Sequence, residues 1–317
     1  MKLIIQIPCL NEEQALPTTL AALPRQVPGF ETVEWLIIDD GSTDRTVEVA
    51  KAHGVDHVLS LSHNQGLAKA FPSGIMECAR LGADVVVNTD ADNQYDASFI
   101  PALTEPVVNN TADMVIGARP INSIQQFSPI KKLLQNLGSA AVRWASSTKV
   151  KDAPSGFRAM RIQAALQLNV YNDYTYTIET IIQAGHRGFR IINVPVKVNG
   201  DLRPSRLVKS IPAYVRRNML TILRFFVVYK PLRFFALASL LPFFISFGLF
   251  SRFILFYLFV SNAGKIQSLI VAGVMFLFGI MLVAIGLLSD IISINRRLLE
   301  DLRFEAQLRK LEKEREP

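Results

Sequence analysis

The stretch Val85–Asp96, VVVNTDADNQYD, decides how the chain is read. It begins as an apolar run suited to a buried strand and ends in Asp90, Asp92 and Asp96, with Asn93 and Gln94 between them. Carboxylates one residue apart reach a common point only if the chain turns there, and a hard divalent cation then supplies the charge they need. Mg²⁺ or Mn²⁺ takes one or two carboxylates and completes its shell with water and substrate phosphates, which makes a nucleotide diphosphate the natural bound partner. The competing reading is a polar loop that caps the next helix, with Asp96 or Asn93 as N-cap.

Working outward, the same alternation of strand and helix fills residues 1 to about 200. Short strands (LIIQI, EWLIID, HVLSL, DVVVNTD, DMVIGA, RIINVPVKV) alternate with helix-like segments Glu13–Leu23, Asp44–His53, Leu67–Leu81 and Ala97–Asn109. This rhythm predicts an α/β domain with a largely parallel sheet. Ligands of such sheets lie at the carboxyl ends of strands. Three of those ends carry polar groups: Asn11 and Glu12 in IPCLNEE, Asp39 and Asp40 in IIDDGSTDRT, and Asp90 with Asp92. Asp44, with Ser42 and Thr43, reads as a helix cap, leaving Asp39 and Asp40 to accept from a base or ribose. The N-terminal MKLIIQIPCL is broken by Gln6 and Pro8 and lacks a cleavage site, so it is a first strand rather than a signal peptide. Cys9 and Cys78 are the only cysteines and predict two buried thiols in a reducing compartment.

Composition places the rest of the chain at a membrane. Of 317 residues 19% are charged, the mean hydropathy is +0.26, and no Asp or Glu occurs from Leu202 to Ser289. Within that span lie two apolar runs, about Phe234–Val260 and Ile266–Ser289, each long enough to cross a bilayer. They are joined by SNAGK and predict a transmembrane hairpin, with Arg252 snorkelling to the far interface or facing protein. Arg203, Arg206, Lys209, Arg216 and Arg217, interleaved with apolar residues, read as amphipathic helices in the membrane interface. Basic residues crowd the outer ends of the hairpin, so both termini and the N-terminal domain are expected in the cytoplasm, at a bacterial inner membrane. The predicted domains are thus a catalytic domain at 1–200, juxtamembrane helices at 201–232, a hairpin at 233–292 and a charged helical tail at 293–317. The tail and the interfacial helices make a homo-oligomer plausible. The net charge of +7 gathers beside the hairpin and no nucleic-acid motif is present, so nucleic acid is not an expected partner.

IPCLNEE, IIDDGSTD, NTDADNQY, IGARP and DAPSGFR, in this order, resemble the family 2 glycosyltransferases of GT-A fold, a Rossmann-like α/β architecture. More narrowly they resemble the polyprenyl-phosphate glycosyltransferases, over about residues 1–230. The resemblance implies that Pro8, Asn11, Glu12, Asp39 and Asp40 line the nucleoside pocket. It places Asp90 near the ribose and diphosphate and makes Asp90, Asp92 and Gln94 the Mg²⁺ or Mn²⁺ site. Arg119 and Lys131 are implied to hold phosphate, Lys131 standing where relatives often carry Arg, which makes the grip less bidentate. Asp152, Ser155, Gly156 and Phe157 match a turn near the reacting centre. Ser155, Arg203 and Arg206 are positions for the lipid phosphate, and the last two serve equally well as lipid-surface contacts.

The chemistry is consistent with these roles. A lipid phosphate monoester is already an anion, so the attacking oxygen needs positioning and charge neutralisation more than a base. Asp152 is therefore either a base or orienter, or a carboxylate that stabilises the turn. A single in-line displacement inverts the anomeric centre. UDP-glucose and undecaprenyl phosphate are the first expectations for donor and acceptor, by resemblance alone; GDP-mannose, UDP-N-acetylglucosamine or an aminopentose donor fits the same motifs. A processive polysaccharide synthase normally has Q-x-x-R-W, but Ala140 stands where that Gln belongs before Arg143 and Trp144. A sugar nucleotidyltransferase would need a Gly-rich loop after the first strand. A scaffold that only binds nucleotide sugar is the non-catalytic alternative.

Overall fold

The first strand, β1 (Lys2–Cys9), is buried over Leu3–Ile7, and its neighbours explain why. It runs parallel to β2 (Thr32–Asp39) on one side and to β4 (Val85–Asn88) on the other. A parallel strand covered on both faces needs a continuous apolar run rather than alternation. In this computed structural model the described residues are 1–120, 129–171, 175–199, 223–224, 226–259 and 266–315, with no side-chain description for 129–134, 137 and 315.

Seven strands form one sheet in the order β3-β2-β1-β4-β6-β5-β7, where β3 is His57–Ser60, β5 Met114–Ala118, β6 Arg158–Arg161 and β7 Ile191–Pro195. Helices α1 (Leu16–Ala22), α2 (Thr46–Ala52), α3 (Leu67–Arg80), α4 (Ile100–Val108), α5 (Pro129–Ser146), α6 (Ile162–Leu166) and α7 (Thr177–His186) connect them. Leu3, Ile5, Ile7, Ile37, Val85, Val87 and Leu103 share one core cluster, each worth about 1.5–3 kcal/mol when taken fully out of water.

The sheet is mixed rather than simply parallel. Strand β6, sequence RAMR, pairs antiparallel with both β4 and β5 and has no β-branched residue to announce it. Its register sets Asn88 opposite Arg158. Because the strands oppose, the end of β4 meets the start of β6, and the D-A-D loop comes to lie beside the D-A-P-S-G-F turn.

The chain divides into two units, Met1–Ile222 with Leu302–Pro317, and Leu223–Asp301. The second contains α8 (Pro231–Phe259) and most of α9 (Ile266–Arg315), both long and apolar enough to cross a membrane. Within it Ser246 Oγ donates to the Ala272 carbonyl at 2.8 Å, and the Phe243 ring occupies the space a Cβ on Gly279 would need. The expected tail is helical but continuous with the second apolar run: α9 extends through it to Arg315, and its end belongs to the first unit. There Leu311 is buried and Glu314 accepts from Arg80 Nε at 3.1 Å. The expected juxtamembrane helices, with Arg203 and Arg206, lie almost wholly outside the described residues, and so do the SNAGK loop and the Lys131 side chain.

Candidate active site

A cleft of about 330 Å³ opens at the carboxyl ends of β1, β2 and β4. Pro8, Glu12, Asp40, Asp90 and Asp92 line it, five of the residues expected there from sequence. Each strand stops where its carboxylate or turn begins, which is why residues distant in sequence share one wall.

The loops are held by their own carboxylates. Asp40 accepts from Gln65 N at 2.7 Å and from Gly66 N at 2.8 Å, and Asp39 Oδ1 accepts from Ser42 N at 2.9 Å. Asp39 and Asp40 are therefore not simply free acceptors for a nucleoside: backbone amides already use part of their capacity. Gly41 is required, since at φ +74° its Cβ would meet Asn64 N at 2.7 Å. Asn11 also has positive φ, 54°, and its Oδ1 accepts from Thr43 N at 2.8 Å. Asp44 bridges Thr46 N (3.0 Å) and Glu13 N (3.1 Å), the structural role its position predicts.

The carboxylate pair sits against the turn before β6. A Cβ on Gly156 would lie 3.0 Å from Asp90 Oδ1 and 3.1 Å from Oδ2, so only glycine lets the carboxylate settle there. Asp92 Oδ1 accepts from Gln94 N at 3.2 Å. Among the described residues no three His, Cys, Asp or Glu side chains gather into a metal cluster. Two hard oxygen ligands at an open cleft nevertheless suit Mg²⁺ or Mn²⁺, which leave several positions to water and diphosphate. Gln94 does not line the cleft; its Oε1 faces Arg119 Nη1 at 3.4 Å.

Arg119 and Asp152 form a closed pair behind the cleft. Arg119 Nε donates to Asp152 Oδ2 at 2.7 Å and Nη2 to Oδ1 at 3.0 Å; their side chains are 8% and 0% exposed. Burial alone lowers an arginine pKa, but nearby Tyr95, Asp152 and Asp90 hold Arg119 above the ordinary guanidinium value. With both oxygens spent on Arg119 and no exposure, Asp152 has the geometry of an orienter. Ser155, expected at the lipid phosphate, is fully buried and does not line this cleft, whose wall includes its neighbours Pro154 and Gly156. Its backbone carbonyl accepts from Arg158 Nε at 2.8 Å.

Three residues of the site escaped the sequence reading. Asn88 Nδ2 donates to Gly156 O at 2.9 Å and to Tyr176 Oη at 2.8 Å, and its Oδ1 accepts from Gln6 Nε2 at 2.9 Å. Tyr176 lines the cleft and stacks on Phe71 at 3.8 Å. Arg158, fully buried, donates to the carbonyls of Ala153 and Thr177 and to Thr180 Oγ1, tying the turn to α7. Its place at the end of DAPSGFR was the available signal. Burial raises the Tyr176 pKa well above the phenol value and lowers that of Arg158.

Residues 4–167 match the model of Glycosyl transferase family 2. The chain belongs to that family. An undecaprenyl-phosphate mannosyltransferase of Micrococcus luteus is 30% identical over 65% of this chain and 88% of its own length. A UDP-N-acetylglucosamine–dolichyl-phosphate N-acetylglucosaminyltransferase of Methanococcus voltae is 28% identical over 60% of this chain and 83% of its own. Among solved structures, glucosyl-3-phosphoglycerate synthase of Mycobacterium tuberculosis, with Mn²⁺, UDP and glucosyl-3-phosphoglycerate bound, superposes with a TM-score of 0.56 at 23% identity. The match covers 71% of this chain and 79% of that one. This likeness establishes the GT-A fold for the glycosyltransferase described here. The two long apolar helices and the polyprenyl-phosphate relatives together point to membrane association.

Proposed function

We propose that this family 2 glycosyltransferase moves a hexose from a nucleotide diphosphate sugar to a polyprenyl phosphate, with inversion at the anomeric carbon. The observation that carries the reading is the cleft in which Asp90 and Asp92 of the D-A-D loop meet Pro8, Glu12 and Asp40. Relatives named for polyprenyl-phosphate mannosyl and N-acetylglucosaminyl transfer support the acceptor class. UDP-glucose and undecaprenyl phosphate stay the first donor and acceptor to test.

Pro8, Glu12 and Asp40 contact the nucleoside, with Asn11 and Asp39 shaping the loops around it. Asp90 and Asp92, joined by Gln94, hold Mg²⁺ or Mn²⁺. When bound, the ion neutralises charge on the departing diphosphate. Arg119 is held in place by Asp152 and presents Nη1 to phosphate once Gln94 turns away. Lys131, Arg203 and Arg206 receive the lipid phosphate. Asp152 orients Arg119 and abstracts no proton, because a phosphate nucleophile has little to give up. The two apolar helices form a hairpin with both ends in the cytoplasm, at the membrane face where a lipid phosphate is presented.

A panel of labelled UDP-glucose, GDP-mannose and UDP-N-acetylglucosamine with undecaprenyl phosphate tests the proposal. Label entering the organic phase with one donor, and lost in EDTA, is the expected outcome. Nucleotide binding without lipid-phase label from any donor would remove the polyprenyl acceptor.

A further inference from the structure

The catalytic unit holds a second cavity, of about 450 Å³, for which the proposed reaction has no use. The two cavities share one wall, the start of α3. Gly66, Leu67 and Ala70 face the nucleotide cleft, whereas Gln65, Lys69, Pro72, Met76 and Arg80 recur at three- and four-residue spacing and line the second cavity. Arg303 and Gln307, from the end of α9, line it as well.

Its charge is unbalanced. Arg80 is committed, Nη1 donating to Glu77 at 3.4 Å and Nε to Glu314 at 3.1 Å. Lys69 and Arg303 pair with no carboxylate among the described residues, and Leu59, Leu61 and Leu166 provide an apolar lining beside them. A planar guanidinium and a mobile ammonium at one opening suit tetrahedral oxyanions.

We propose that this second cavity binds a phosphate-bearing ligand between Lys69 and Arg303, and that its occupancy alters nucleotide affinity in the cleft through α3. Two links cross the shared wall. Phe71 lines the second cavity and stacks at 3.8 Å, 4° from parallel, on Tyr176, which lines the cleft. Gln65 lines the second cavity while its N–H, with that of Gly66, fixes Asp40 on the cleft side. A ligand that shifts Phe71 or Gln65 therefore shifts a residue of the cleft. The phosphate has two sources, a lipid head group or a soluble phosphate.

The test uses the full-length protein in detergent, with inorganic phosphate and dihexanoyl phosphatidylglycerol as probes and thermal stabilisation as the readout. Wild type is stabilised saturably by at least one probe, and Lys69→Gln/Arg303→Gln binds it about fivefold or more weakly, two exposed charges being lost. Stabilisation by inorganic phosphate assigns a soluble ligand; stabilisation by the lipid alone assigns a head group. No stabilisation of wild type by either probe, or equal stabilisation of the double variant, overturns the site. The coupling is read from the affinity for whichever of UDP and GDP binds more tightly. It changes about fivefold when the probe saturates wild type and by less in Phe71→Leu, which keeps only the Gln65 link, with the double variant reporting direct competition in the cleft. A nucleotide affinity indifferent to probe in wild type overturns the coupling.

Discussion

Arg119 grips Asp152 along one edge of its guanidinium, Nε to Oδ2 at 2.7 Å and Nη2 to Oδ1 at 3.0 Å, and also donates its backbone N–H to Oδ2 at 3.2 Å. Both side chains are buried, so neither charge is answered by solvent. Asp152→Asn removes the carboxylate that pairs directly with the buried Arg119 cation and is expected to cost about 3–5 kcal/mol of stability. Chemical denaturation measures this directly. For an orienter, Asp152→Asn lowers kcat without changing the shape of the pH–rate profile; a limb that disappears in Asp152→Asn would make it the base.

Gly156→Ala tests the fit between the turn and the carboxylate pair. The new Cβ comes within 3.0 Å of Asp90 Oδ1 and 3.1 Å of Tyr176 Oη, so Asp90 has to move. The expected cost in stability is about 1–3 kcal/mol, the range for an overpacked site. The KM for nucleotide sugar should rise more than that for the lipid acceptor, which steady-state kinetics with both substrates would show.

Asp92→Ala separates metal binding from folding. Asp92 is partly exposed and, among the described residues, its carboxylate bonds only locally, to Gln94 N. Stability is expected to stay within about 0.5 kcal/mol of wild type, while metal-dependent nucleotide binding falls below detection in calorimetry. Retention of Mn²⁺-dependent binding would move the ion to other ligands.

Acid should loosen the far edge of the sheet. Arg190 donates to Asp113 from Nε at 3.1 Å and from Nη2 at 2.8 Å, and these bonds hold the Asp113 carboxyl below its usual range. A depressed carboxyl contributes stability that is complete above its unfolded value of about 3.9 and is lost as pH falls through the folded one. Asp113→Asn should therefore unfold more readily than wild type at pH 7, with the difference shrinking below about pH 4. Equilibrium denaturation at both pH values checks it.

Much of this architecture was legible in the sequence, for identifiable reasons. The parallel strands announce themselves because burial on both faces demands runs such as LIIQI and VVV, and the cleft carboxylates because they end those runs. Strand β6 did not, since RAMR carries two arginines and depends on tertiary partners: Arg158 on buried carbonyls, Arg161 on Val107 O at 3.2 Å. Asn88 and Tyr176 were hidden for the same reason, a polar end to an apolar strand and an aromatic before a helix being informative only when the fold brings them together. The burial of Ser155 was not legible either, because a motif gives a position and not the direction of a side chain.

The most direct measurement of the central claim is the identity of the product that the purified full-length protein makes from undecaprenyl phosphate, Mg²⁺ or Mn²⁺ and its preferred sugar nucleotide. Mass spectrometry and NMR should show one hexose on the lipid phosphate, inverted at the anomeric carbon and absent from the Asp92→Ala reaction. A water-soluble polymer, free sugar alone, or a lipid product of retained configuration would contradict the account.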